Sequence, residues 1–261
     1  MTRKQERARA RRRYEKRRDS LARRAEDRAR LRVLGVMAGT VGVVVVVLAV
    51  LGAAFSTVQP AAARTLAGCE PPPPSLGTGA DLELPDPATV AGGQYTATIS
   101  TNCGDIVVDL DAEAAPQAVA SFAELARQNY WVDGPCHRLT TQESLKVLQC
   151  GDPTGTGQGS PGYGFAVENA PADGRYPRGT LAMARTSDPE KGNGGQFFIV
   201  YGDSELPDPD GYTVFGTVTA GLDIVDREAA AGVAPGGASA DDGPPAAPIS
   251  ILRVAVTEKK A

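Results

Sequence analysis

The sequence predicts a mainly β globular domain, closed or nearly closed into a barrel, preceded by a single transmembrane helix. Three observations carry this expectation. From residue 95 onward the chain is a succession of short alternating runs broken by Gly and Pro, with few stretches at helical spacing. Residues 33–55 form 23 uncharged positions built almost wholly of Val, Ala, Leu and Gly, enough to cross a hydrocarbon core that needs about 20. Charge is also divided unevenly. Of the 27 Lys/Arg and 31 Asp/Glu in the 261 residues, 15 Lys/Arg but only 5 Asp/Glu fall within residues 1–33.

Residues 1–32 read as a basic cytoplasmic tail with no coherent apolar face. A basic tail can neutralise nucleic-acid phosphates, but this one runs directly into the apolar segment 33–55. No nucleic acid is therefore expected, and the tail should touch anionic lipid head groups. The Lys/Arg excess on the N-terminal side places that end in the cytoplasm and the remainder outside a plasma membrane crossed once. A cleaved signal peptide fits less well, because its apolar part spans about 7–15 residues. Leu66-Ala67-Gly68-Cys69 resembles a lipoprotein cleavage box, but Arg64 precedes it and the apolar run ends upstream at Phe55. A chance match in a small-residue linker is preferred to acylation of Cys69.

Residues 56–92 are rich in Ala, Pro and Gly and include Pro71-Pro72-Pro73-Pro74, which predicts a semi-rigid extended linker. The globular domain is expected over 93–261. Tyr95–Ser100 and Asp105–Leu110 read as strands joined by a turn at Asn102-Cys103-Gly104. Pro116 suits the first turn of a helix whose inward face is Val119, Phe122, Leu125 and Ala126. Leu181–Met183, Phe197–Val200 and Tyr212–Val218 are the clearest later strands; Ala220–Ile224 begins a second short helix. The Ala/Gly/Pro-rich stretch 229–248 predicts an exposed loop, and Ile249–Thr257 a last alternating strand.

Several motifs stand in a telling order: Cys136-His137-Arg138, Leu148-Gln149-Cys150-Gly151-Asp152-Pro153-Thr154-Gly155-Thr156-Gly157, Gly179-Thr180-Leu181-Ala182-Met183-Ala184, Gly195-Gln196-Phe197-Phe198-Ile199 and Tyr212-Thr213-Val214-Phe215-Gly216. Together they resemble the cyclophilin family of peptidyl-prolyl cis-trans isomerases over roughly residues 94–257. The resemblance implies an eight-stranded antiparallel β-barrel capped by two helices, acting on proline-containing polypeptides. Behind a membrane anchor those would be exported or envelope proteins.

An X-Pro bond turns slowly because amide resonance sets a barrier of about 18–20 kcal/mol. Lowering it requires no nucleophile, metal or cofactor, only a site that binds the twisted amide better than either planar form. The resemblance places Arg138 as the catalytic arginine, Gln149 as the glutamine that orients it, and Phe198 as the floor of the proline pocket. It implies Val147 and Met183 as walls, Ala184, Arg185 and Gln196 along the peptide groove, Leu206 and Tyr212 as further substrate-binding positions, and Gly155 in the neighbouring glycine-rich loop. His137, the one histidine, occupies a structural position in the motif. The loop Gly155–Gly159 lacks the Gly-Lys-Ser/Thr ending of a phosphate-binding loop.

The sequence departs from the family pattern in places. Thr140–Val147 replaces the usual Pro-Gly-Phe-Met, so an aromatic wall of the pocket is either lost or replaced by Leu145 or Lys146. Arg185 stands in place of an asparagine and Tyr212 in place of a histidine. No Trp lies near Leu206, which predicts weak binding of cyclosporin-type inhibitors. Lys146 and Arg185 favour a competing reading, a cyclophilin-like module or chaperone that holds peptides without useful catalysis. All four cysteines lie beyond the span, where oxidation is permitted. Either a disulfide among Cys103, Cys136 and Cys150 or buried free thiols fits the sequence, which fixes no pairing.

Overall fold

The structure, a computed structural model, describes residues 65–259 apart from 76 and 78. The basic tail 1–32, the apolar segment 33–55 and the start of the linker lie outside the described residues. Among the described residues no helix is long and apolar enough to cross a membrane.

The described chain is mainly β, with two α-helices. Strands β1 (Tyr95–Thr101) and β2 (Gly104–Leu110) form a hairpin; helix α1 (Pro116–Arg127) follows. Next come β3 (Gly134–Pro135), β4 (Arg138–Gln142), β5 (Leu145–Cys150), β6 (Arg175–Tyr176), β7 (Thr180–Arg185), β8 (Asn193–Val200) and β9 (Ser204–Glu205). Strand β10 (Val214–Ala220), helix α2 (Leu222–Ala231), β11 (Asp242–Gly243) and β12 (Ser250–Glu258) complete the order. Ten strands make one sheet in the order β11-β4-β5-β8-β7-β10-β2-β1-β12-β3, and its two outermost strands are two residues each. Every pairing in it is antiparallel.

The sheet curls, and its connectivity shows how far. β3 pairs with β12 at one edge, and β4 lies beside β11 at the other. Only Cys136 and His137 separate β3 from β4, so the two edges approach each other at this segment. The Cys136 amide donates to Ile249 O at 2.9 Å and fastens it.

The inward faces of β1, β2, β5, β7 and β8 bury Ile99, Ile106, Val108, Leu148, Leu181, Phe197 and Ile199. Helix α1 buries Val119, Phe122 and Leu125 against them, with Phe122 touching Trp131, Phe197 and Phe215 at ring separations of 4.6, 5.5 and 5.4 Å. Pro116 starts α1 as expected. Its free N–H groups are met from a distance: the Glu168 carboxylate accepts from Gln117 N at 3.1 Å and Ala118 N at 3.0 Å, an anion at the positive end of the helix.

Two expectations change here. Residues 65–92 are not a free spacer where they are described. Glu70 N donates to Asn102 O, Asn102 Nδ2 donates to Glu70 O, Ser75 Oγ donates to Pro153 O and Leu82 N donates to Pro161 O; Val90 is buried in the core. The stretch 229–248 is likewise only partly loop, since Asp242 and Gly243 pair with Thr140 and Leu139.

The cysteines form two disulfides, Cys69–Cys103 and Cys136–Cys150. Cys103 therefore pairs outside the trio expected to contain any bond. Cys69, set aside in the sequence as a chance feature, closes the strap onto the β1–β2 turn. That pairing joins a segment read as linker to the domain, and sequence spacing carries no trace of such a contact.

Candidate functional site

Cross-strand pairing builds the site. Arg138 of β4 faces Gln149 of β5, Gln149 faces Phe198 of β8, Phe198 faces Ala182 of β7, and Ala182 faces Val214 of β10. Directly paired residues project from the same side of a sheet, so these five make one row on the face opposite the main core.

At the polar end, Arg138 is 40% exposed and bound on both edges. Its Nε donates to Asp242 Oδ1 at 2.7 Å and its Nη2 to Asp242 Oδ2 at 2.8 Å, a two-point ion pair. Its Nη1 donates to Gln149 Oε1 at 3.3 Å. Gln149 Nε2 in turn donates to Gln196 Oε1 at 3.0 Å, and Gln196 Nε2 donates to Gly157 O at 3.0 Å and Gly159 O at 3.2 Å. The direction of the relay is fixed at both ends. A guanidinium can only donate and a carbonyl can only accept, so both amides have one orientation. The hydrogen bond from Arg138 holds the Asp242 carboxyl below the usual carboxylate range despite partial burial, and the same partner raises the arginine further. Two of the five guanidinium N–H groups remain for a substrate.

The glycine-rich loop is anchored by buried Asp152. Burial pushes its carboxyl up, but hydrogen bonds from Thr154 and from backbone amides of the loop outweigh this and leave it below the usual range. Thr154 N and Oγ1 both donate to Oδ1, at 2.7 and 2.8 Å. At Gly159 a Cβ would come 1.9 Å from Asp152 Oδ1, so only glycine permits this approach. Gly155 adopts φ +69 and abuts Pro135; the groove is bordered instead by Gly157 and Gly159. Gly155 thus lies in the loop and shapes it without bordering the groove.

At the apolar end Phe198 is 4% exposed and packs with Val147, Tyr176, Ala182 and Val200, rimmed by Leu145, Ala184, Leu206, Tyr212 and Val214. Phe198, Tyr176 and Tyr212 meet edge to face, with Phe198 5.7 Å from Tyr212 and 6.3 Å from Tyr176. Met183 does not line this pocket. It is paired with Phe197 and belongs to the main core, while its neighbour Ala182 stands beside Phe198. Alternation along β7 explains the correction, since successive side chains face opposite sides.

A groove of 220 Å³ adjoins the row and is lined by Gln149, Gly157, Gly159, Ala184, Asn193 and Gln196, among others. Arg185 borders it by position, yet its side chain is 3% exposed and already committed. Nε donates to Gly211 O at 2.7 Å, Nη1 to Thr186 O at 2.8 Å and Nη2 to Asp208 Oδ1 at 2.7 Å, and the guanidinium lies 5.0 Å from the centre of the Tyr212 ring. The expected groove cation is therefore a brace for the Gly211–Tyr212 turn. At His137 burial lowers the imidazole pKa, and the Arg138 charge adds to this against the opposing pull of Asp152.

The disulfide Cys136–Cys150 flanks the working pair, two residues before Arg138 and one after Gln149. Asp242, Tyr176 and Ala182 were not singled out in the sequence. Asp242 lies 104 residues from its partner in an Ala/Gly/Pro-rich stretch, where no local pattern marks it.

A bound guanidinium and amide thus stand beside an apolar aromatic pocket on a curled antiparallel sheet. The sequence profile of the family described as cyclophilin type peptidyl-prolyl cis-trans isomerase matches residues 96–256. The chain belongs to that family. It is 48% identical over 178 residues to a probable peptidyl-prolyl cis-trans isomerase B of Mycobacterium leprae, covering 64% of this chain and 56% of that protein. With the protein of the same name from Mycobacterium tuberculosis it shares 43% identity over 204 residues, 72% of this chain and 63% of that one. The chain thus spans less than two thirds of the length of these relatives. A peptidyl-prolyl cis-trans isomerase of Helicobacter pylori is 38% identical over 134 residues, covering 50% of this chain and 78% of that protein. Among solved structures, a cyclophilin-type isomerase of Cryptosporidium parvum superposes with a TM-score of 0.51 at 28% identity, covering 64% of this chain and 99% of that one. The same protein crystallised with the dipeptide Ala-Pro gives 0.51 at 29% identity, covering 63% and 99%.

Proposed function

We propose that this chain catalyses cis-trans isomerisation of X-Pro bonds in exported or envelope polypeptides, from the outer side of a plasma membrane. The observation that carries the reading is the placement of Arg138 and Gln149 on one row with Phe198. A proline ring seated by the Phe198 cluster brings its amide alongside the guanidinium. As the bond twists, resonance is lost and the prolyl nitrogen becomes a hydrogen-bond acceptor, which the free N–H groups of Arg138 then meet. That interaction is weak in either planar form and strong at the twisted one, so it lowers the barrier rather than merely tightening binding. Asp242 and Gln149 hold the guanidinium in place beforehand, which removes reorganisation at the moment of reaction.

The uncharged stretch 33–55 and the basic tail before it support a single-pass anchor with its N-terminus in the cytoplasm and the tail against anionic lipid. Both disulfides accord with an oxidising compartment. The peptide-holding alternative drew on Lys146 and Arg185; Arg185 is now occupied within the protein, which weakens it.

The test is isomerisation by the full chain of peptides with varied residues before Pro. Acceleration supports the enzyme. Peptide binding by a folded chain without acceleration would instead mark a holding module. Accessibility of the domain to protease added outside intact cells tests the orientation.

A further inference from the structure

Glu228 on α2 is unusual among the acidic residues described. It is 0% exposed, and its Oε2 has no hydrogen-bond partner among the described residues. Its Oε1 lies 3.4 Å from Cys103 Sγ and 4.0 Å from Cys69 Sγ. A buried carboxyl without a partner is costly, and no core-packing role requires one. Burial pushes its pKa up to about 7, opposed by the positive charge of Arg227 on the same helix. The group is therefore able to give up or take a proton near neutral pH, beside a sulfur–sulfur bond. Among the described residues it is also the one place where cysteine, histidine or carboxylate groups gather three together within 4.8 Å; the second disulfide has no such companion.

We propose that Cys69, Cys103 and Glu228 form a thiol–disulfide exchange site for an external dithiol, with Glu228 as its proton carrier. Cys69 is partly exposed whereas Cys103 is 5% exposed, which sets the direction of attack. A thiolate of the external dithiol attacks Cys69 Sγ and forms a mixed disulfide. The Cys69–Cys103 bond breaks, its electron pair leaves on Cys103 Sγ, and protonated Glu228 supplies the proton. The second external thiolate then displaces Cys69, which takes a proton from solvent. The external pair is left as a disulfide, two electrons having passed to the protein, and the protons lost by the dithiol balance those gained. In reverse, the Glu228 carboxylate withdraws the Cys103 proton and activates that thiol for oxidation. The bond closes the strap whose later residues meet the glycine-rich loop at Pro153 and Pro161, so its opening loosens a support of that loop.

The test exposes the full chain to excess dithiothreitol, with timed alkylation and peptide mass analysis of each bond, in wild type and Glu228→Gln. In wild type, Cys69–Cys103 should open before Cys136–Cys150. The variant, checked for folding by near-ultraviolet circular dichroism, should open Cys69–Cys103 at least about tenfold more slowly, a threshold set below the roughly hundredfold low end of general-acid contributions. Equal rates in the two proteins, or earlier opening of Cys136–Cys150, overturn the proposal. Should the variant misfold, the wild type alone decides. Heavy water should slow Cys69–Cys103 more than Cys136–Cys150, and an unchanged ratio of the two rates contradicts proton transfer from Glu228.

Discussion

Arg138 and Phe198 stand on one row of the sheet with only Gln149 between them, yet they are held by different means. Arg138 keeps 40% of its side chain in solvent and owes its position to directed bonds with Asp242 and Gln149. Phe198 is 4% exposed and owes its position to contact with aliphatic and aromatic neighbours. In the proposed reaction the polar half would meet what changes, the amide, and the apolar half what does not, the proline ring. Loss of the first should therefore appear in turnover, and loss of the second in binding and stability.

The largest effect should follow removal of the apolar floor. Phe198→Ala is expected to cost about 3–5 kcal/mol of folding stability, typical of an emptied aromatic core site, and to raise KM; denaturant unfolding and peptide titration check both. Arg185→Leu is next. It breaks three hydrogen bonds and the contact with Tyr212 at a nearly closed site, leaving Asp208 without its ion-pair partner. A stability loss of about 2–3 kcal/mol is expected, with saturated turnover little changed. An equal fall in turnover would show Arg185 acting on substrate after all.

Asp242→Asn sharpens the same comparison with a smaller effect. The pair is partly solvated, so its worth is about 0.5–1 kcal/mol, a two- to fivefold fall in turnover with KM nearly constant. The pH dependence has a definite sign. The Asp242 pKa is lowered in the fold, so its contribution is present above the ordinary carboxylate range and is lost as pH falls through the folded value. Wild-type stability and turnover should both fall on that acid side, and the asparagine variant should show less of the decline.

The pattern of these residues explains what the sequence disclosed. Arg138, Gln149 and Phe198 lie in short contiguous motifs, and the strands that carry them alternate clearly enough to be found. Helix α1 was legible from Pro116 and its apolar spacing. Met183 and Ala182 were confused because Thr180–Met183 is buried on both faces, which removes the alternation that would have told inside from outside. Arg185 looked like a groove residue because its partners, Gly211 and Asp208, come from a distant turn. Asp242 and the Cys69–Cys103 bond escaped for the same reason: each joins segments read as loop or linker to the sheet, and only the fold brings them there.

Magnetisation exchange between the cis and trans forms of a saturating Ala-Pro peptide, measured with wild type and Arg138→Ala, tests the central claim most directly. The account predicts that the variant still binds the peptide, through the intact Phe198 cluster, while exchange on the protein slows about a hundredfold, as for loss of one donor aimed at a transition state. Unchanged exchange in the variant would contradict it, because the proline amide would then be turned by something other than the guanidinium.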